Sequence, residues 1–164
     1  LISAERKSGT AALVLTKPVT RTAFVLAKVA SQAALLVVTT IVGAAFTWLV
    51  TLAVFGEAPV GVLASTTAVW LALALMLVAL MTLASALVNS QAGAAGLGFG
   101  ALIVLGIATL WGPALEYTPA GLMNAPSAIL AEKSVALAFP LVTGLALAVL
   151  AILAALRVFA RAEL

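Results

Sequence analysis

Four long apolar stretches run along the chain, separated by short polar interruptions. The hydrocarbon core of a bilayer is about 30 Å thick, so a spanning helix rising about 1.5 Å per residue needs roughly 20 mostly apolar residues. The first stretch, residues 24–55, exceeds that, and Lys28 and Gln32 in its opening turns predict that it protrudes there into the cytoplasm or the headgroup layer. The second covers residues 62–88 and the third residues 93–111. The fourth is apolar over 141–159 and is assigned to a helix over 134–160. Gly93, Gly96, Gly98, Gly100 and Gly106 weaken the third, each by roughly 1 kcal/mol relative to alanine in water. In lipid an unpaired backbone group costs several kcal/mol, and a helix satisfies them all, so a spanning helix remains the expectation.

The connections fit this division. Gly56-Glu57-Ala58-Pro59 makes a tight turn between the first two helices, and Asn89-Ser90-Gln91 turns the chain into the third. Residues 112–133 contain Pro113, Pro119 and Pro126 and are too broken to span. They predict short helices lying at, or dipping into, the outer face, with Pro126 in a helix first turn. Pro140 either kinks a helix running from Ser134 or marks its start.

Composition explains why lipid is the solvent. Apolar residues make up 65% of the chain and charged residues 8%, against about 45–50% and about 25% in soluble domains. A water-soluble fold of 164 residues cannot hide that much apolar surface. The fold class predicted is an all-α, polytopic transmembrane bundle, with a cytoplasmic element over 1–23 and a transmembrane domain over 24–164. The chain opens on Leu1 and runs at once into a polar stretch, so it reads as a piece of a longer protein that starts near the end of an earlier helix. No signal-peptide pattern is visible.

The net charge of +3 reports orientation rather than nucleic-acid binding. With the N-terminus cytoplasmic, Arg6, Lys7, Lys17, Arg21, Lys28, Arg157 and Arg161 fall inside and Lys133 alone outside, a split of seven to one that obeys the positive-inside rule. Both ends are then cytoplasmic, and Trp111 and Tyr117 lie at the outer interface. The chain contains no Cys, His or Asp. Disulfides, Cys/His metal sites, a Ser-His-Asp triad and an aspartyl dyad are therefore excluded. No phosphate-binding loop of the G-x-x-x-x-G-K-[ST] type occurs. No charged residue sits mid-helix, which argues against an ion-coupled carrier.

The polar stretch over residues 3–28 is the most informative. Ser3-Ala4-Glu5-Arg6 offers a cap and early negative charge for a helix start. Gly9-Thr10 interrupts it, a short apolar run over 11–15 follows, and Thr16-Lys17-Pro18 ends that run. Thr20 is placed to cap the long helix. On physics alone this is either a positive-inside loop on anionic headgroups or a docking surface for a soluble partner.

The elements Glu5-Arg6-Lys7-Ser8-Gly9-Thr10, Leu13, Leu15, Lys17-Pro18-Val19, Arg21, Phe24 and Lys28 resemble permease subunits of type-2 ABC exporters. In that family the pattern runs roughly E-x-x-x-G-T, a few aliphatics, [ST]-x-P-[VI]-[ST]-R, then a lysine on the next helix. The four helices that follow, and a proline-rich segment before the last, agree in layout. The resemblance implies that two earlier helices of a six-helix permease are missing from this segment. It also implies that Glu5, Arg6, Gly9, Thr10, Leu13, Leu15, Lys17, Pro18 and Arg21 form a coupling element seated on a separate ABC ATPase subunit. ATP and Mg²⁺ would be held by that ATPase and no cofactor by this chain, which would be non-catalytic and would pair with a second permease copy. A membrane scaffold that recruits a cytoplasmic partner through the same loop, and a fragment of a secondary transporter, are the rival readings.

Outside the loop, Gly96 and Gly100 form a small-xxx-small face for helix packing or a dimer interface. Lys28 reads as a side chain snorkelling to the inner interface, and Glu116 as an exposed outer carboxylate. Thr40, Thr47 and Thr51 share a face of the first helix; hydroxyls in lipid commonly bond back to their own helix.

Overall fold

The computed structural model describes residues 20–88 and 90–161, with the backbone alone at Arg21 and Arg161. Every regular element among the described residues is a helix. Helix α1 spans Arg21–Phe55. Thr20 caps it, its Oγ1 accepting the Ala23 N–H at 3.2 Å. Gly56 ends it in the left-handed region at φ 77°, donating to the Leu52 carbonyl at 2.9 Å, a C-terminal geometry that suits glycine. Helix α2, Val60–Leu87, starts directly after Pro59. Helix α3, Gln91–Ala108, is capped by Ser90, whose Oγ accepts from Gly93 at 3.0 Å.

Several boundaries differ from the sequence reading, beginning with α1, which starts at Arg21 rather than at residue 24. Helix α3 stops at Ala108 rather than at residue 111, and Trp111 is extended, because the chain turns at once into the short α4, Gly112–Tyr117. Helix α5, Ala120–Leu130, holds Pro126 in its interior instead of its first turn. Pro119 already starts that helix, its carbonyl accepting from Leu122 at 3.0 Å; Pro126, lacking an N–H, leaves the Leu122 carbonyl without its helical partner. Helix α6, Ala138–Arg161, begins after Leu137. Pro140 falls in its first turn, where no helical N–H is needed, and residues 134–137 are not helical.

Four helices, α1, α2, α3 and α6, are long and apolar enough to cross a membrane, and the protein is an all-α polytopic bundle. Helix α2 is its axis: it packs on α1, α3, α5 and α6, most extensively on α6. Its buried positions, Val69, Met76, Ala79, Thr82, Ala84, Ser85 and Ala86, fall on more than one face. Helix α1 is the opposite case. Along it Leu35, Val38, Ile41, Val42, Phe46 and Leu49 are all exposed, as befits a helix whose solvent is lipid.

Packing is closest at two glycines. A Cβ on buried Gly98 of α3 would overlap the Met81 sulfur of α2. A Cβ on Gly121 of α5 would overlap the Leu115 carbonyl and lie 2.8 Å from the Pro140 ring. The second contact lets α4, α5 and the start of α6 fold together as one corner.

Candidate functional site

Chain direction alone sorts the two ends of the bundle. The start of α1, the end of α2, the start of α3 and the end of α6 share one end, here the terminal end. The α1–α2 turn and the α4–α5 segment share the other, the turn end. Lys28 and Arg157 lie at the terminal end, as do the backbone positions of Arg21 and Arg161. Glu57, Glu116, Glu132 and Lys133 lie at the turn end, and all four are exposed. Glu116 is thus the exposed carboxylate that was expected.

At the terminal end the first turns of α1 lock onto the last turns of α6. The rings of Phe24 and Phe159 stack with centroids 5.8 Å apart and planes 17° from parallel. Val25 and Phe159 are wholly buried, with Val29 and Leu156 packed around them. Lys28 lies one turn further along α1, half-buried, its carbonyl accepting from Ser31 Oγ at 3.0 Å. Residues 1–19 join the bundle immediately before this clamp. Glu5, Arg6, Gly9, Thr10, Leu13, Leu15, Lys17 and Pro18 lie outside the described residues. Arg21 is the first residue of α1, directly after the Thr20 cap.

At the turn end α5 packs against the side of α2. Leu122 and Ala125 form an apolar cluster with Val69, supported by Leu73, Ile129, Val135 and Leu137. Val69 and Leu73 lie about 14 and 20 Å along α2 from its start, so the deepest part of α5 reaches the middle of the longest-packed helix. The turn itself is tied by the Trp48 indole, which donates to the Ala58 carbonyl at 3.2 Å.

Two of the clefts that flank α2 also border α1. One, of about 420 Å³ between α1, α2 and α6, is lined by apolar side chains such as Val29, Met76, Leu141 and Ile152. The other, of about 470 Å³ between α1, α2 and α5, is lined by Thr39, Thr40, Thr47, Thr66, Thr67 and Trp70, with Pro126 at its margin. Thr39 and Thr51 bond back to their own helix, to the Leu35 and Thr47 carbonyls, each at 2.8 Å.

Among the described residues, no atom lies within 4 Å of a Cβ built on Gly96 or Gly100, and their neighbours Phe99, Ile103, Val104 and Ile107 are exposed. Because α3 turns its Gly98 face to α2, Gly96 and Gly100 look outward. Sequence reading missed both Gly98 and the Phe24–Phe159 clamp: Phe24 was noted for its place after Arg21 and Phe159 only as the end of an apolar run.

Comparison with known proteins bears on the whole chain. A family model described as "ABC-2 family transporter protein" matches residues 1–164. No curated protein and no solved structure matches.

Proposed function

The chain belongs to the ABC-2 family of transporter proteins, and from that premise we propose that it couples ATP hydrolysis by a separate ATPase subunit to export of a substrate across the membrane. It is a multi-pass membrane protein and the permease component of an ABC transporter. The finer reading concerns how that component is driven. The observation that carries it is the family match reaching residue 1, and so covering the segment with Glu5, Gly9 and Pro18, together with the clamp that receives this segment.

In this reading residues 1–23 are the cytoplasmic coupling element. Glu5 pairs with a basic residue of the ATPase, Arg6, Thr10 and Lys17 add polar contacts, and Leu13 and Leu15 fill an apolar pocket. Gly9 permits close backbone approach, and Pro18 separates the aliphatic run from Arg21 and α1. ATP and Mg²⁺ reside on the ATPase. Closure of the ATPase pair moves the element, and the element pulls on the base of α1. Since Phe24 and Val25 are packed on Phe159, α6 moves with α1. Helix α2, packed along α6, is the next to respond. For this to work, nucleotide must favour one arrangement of the bundle over the other, since a ligand shifts an equilibrium only by its differential affinity.

The charge distribution supports a cytoplasmic terminal end in a cell membrane, since the basic positions gather there and the carboxylates of α1–α6 gather at the turn end. The open α3 face with Gly96 and Gly100 suits a second permease copy.

The test is co-purification of the full-length protein with its candidate ATPase. Wild type is expected to retain the ATPase, and a Glu5→Lys, Gly9→Trp variant to lose it while still inserting in the membrane. Equal retention by both would sink the coupling role, and would favour a permease driven through another surface.

A further inference from the structure

We propose that the threonine-lined groove between α1 and α2 binds a membrane amphiphile whose head carries neutral hydrogen-bond acceptors and whose tail is an alkyl chain. The starting point is a contrast among hydroxyls. Threonines in spanning helices ordinarily donate to a carbonyl one turn back. Thr39, Thr51, Thr66, Thr82 and Thr143 do so here, at 2.7 to 2.8 Å. The hydroxyls of Thr40, Thr47 and Thr67 and the indole N–H of Trp70 make no hydrogen bond within the described chain, and all four residues line the groove.

Their placement is ordered. Thr40 and Thr47 are two turns apart on one face of α1, about 10 Å along its axis. Gly43 between them leaves open space where a side chain would stand. Thr67 and Trp70, one turn apart on α2, form the facing wall, and Pro126 of α5 closes one margin. An unsatisfied donor in hydrocarbon costs several kcal/mol, and alkyl tails offer no acceptor. An occupant must therefore bring oxygen acceptors for donors on both walls.

It must also bring apolar surface. The remaining lining is Leu36, Ala44 and Leu63, and no ionisable side chain lines the groove. A charged head is not selected; an ester, ether or hydroxyl oxygen is. Ile41, Val42 and Phe46 on the adjoining surface of α1 are exposed, so the groove is approached from the lipid side rather than from water. Its volume of about 470 Å³ lies within the roughly 300–1,000 Å³ of small-molecule sites. This site stands or falls without the ATPase.

The experiment uses full-length protein in nanodiscs containing a photoactivatable monoacylglycerol with a diazirine near the end of its acyl chain. Cross-linked peptides are quantified by mass spectrometry. Labelling is expected to concentrate on peptides spanning residues 36–47 and 63–70, well above the exposed α6 positions Val142, Leu150 and Leu153. A Thr40→Val, Thr47→Val variant, which removes two donors and keeps the shape, should lower groove labelling about tenfold. Thr143→Val on α6, whose hydroxyl serves its own helix outside the groove, should leave it unchanged, and Thr40→Ser, Thr47→Ser should retain it. Labelling no stronger than on the exposed α6 positions, a Thr143→Val loss equal to that of the double variant, or cross-linking of the groove to another polypeptide would overturn the proposal.

Discussion

Phe24, in the first turn of α1, stacks on Phe159, in the last turn of α6, with ring centroids 5.8 Å apart. Near-parallel aromatic pairs of this spacing contribute beyond the area they bury. The pair joins the two ends of the described chain, and it sits where residues 1–19 enter the bundle. Phe159 and Val25 beside it are fully buried, while most of α1 above them faces outward. The base of α1 is thus held mainly by this clamp.

Removing one ring should loosen the hold. Phe159→Ala is expected to destabilise the bundle by about 1–3 kcal/mol, less than in a water-soluble core, because lipid solvates apolar surface as well as protein does. Denaturant titration in detergent micelles reads the loss. In proteoliposomes with the ATPase, the same variant should hydrolyse ATP while transporting less substrate per ATP. Unchanged coupling in a folded Phe159→Ala protein would remove the clamp from the mechanism.

The two close-packed glycines should respond unequally to an added methyl. At Gly121 the new Cβ meets the Leu115 carbonyl and the Pro140 ring, neither of which can rotate away. Gly121→Ala should cost about 2–3 kcal/mol. At Gly98 the obstacle is the flexible end of Met81, so Gly98→Ala should cost about 1 kcal/mol or less. Adding Met81→Ala should relieve the overlap at Gly98 and leave Gly121→Ala unaffected. Thermal unfolding followed by tryptophan fluorescence checks the order, and an equal cost at both sites would contradict this packing.

Gly96 and Gly100 make the complementary case. Since no described atom lies within 4 Å of a Cβ built on either, Gly100→Leu should leave the monomer's stability within about 0.5 kcal/mol of wild type. If the α3 face meets a second copy, the same substitution should shift the full-length permease toward monomer in mass photometry. An unshifted mass distribution would place the dimer contact elsewhere.

These glycines also mark where the sequence ceased to be informative. The four spans were legible because about 20 apolar residues in a row are needed to cross hydrocarbon and rarely arise otherwise. Which face of each helix is buried was not legible. In a soluble helix the polar stripe identifies the outer face, but in α3 both faces are apolar, so Gly98 cannot be told from Gly96 or Gly100 by pattern. The depth of α5 was hidden for a related reason: Leu122 and Ala125 read as ordinary residues of a proline-rich connection, and only tertiary packing sets them against Val69. Pro126 misled because proline favours a helix first turn, yet Pro119 had taken that role. Of the candidate site, the Thr20 cap fell where expected, Arg21 is already helical although the reading began the helix at residue 24, and the clamp had no local signal because its two rings come from opposite ends of the chain.

Orientation is open to direct labelling, since the chain has no native cysteine. Single cysteines at Glu116 and Arg157, both exposed, should react with a membrane-impermeant maleimide from opposite sides of sealed cells. Glu116→Cys should react in intact cells and Arg157→Cys only after permeabilisation. The reverse pattern would invert the topology and put the coupling segment outside.

Contact between the segment ahead of α1 and an ATPase is tested by placing a photo-crosslinking benzoylphenylalanine at Leu13 of the full-length permease. An ultraviolet-dependent adduct with the ATPase subunit, identified by mass spectrometry, is expected, with a yield that changes when ATP is added. Adducts confined to lipid or to another permease copy, with none to an ATPase, would contradict it.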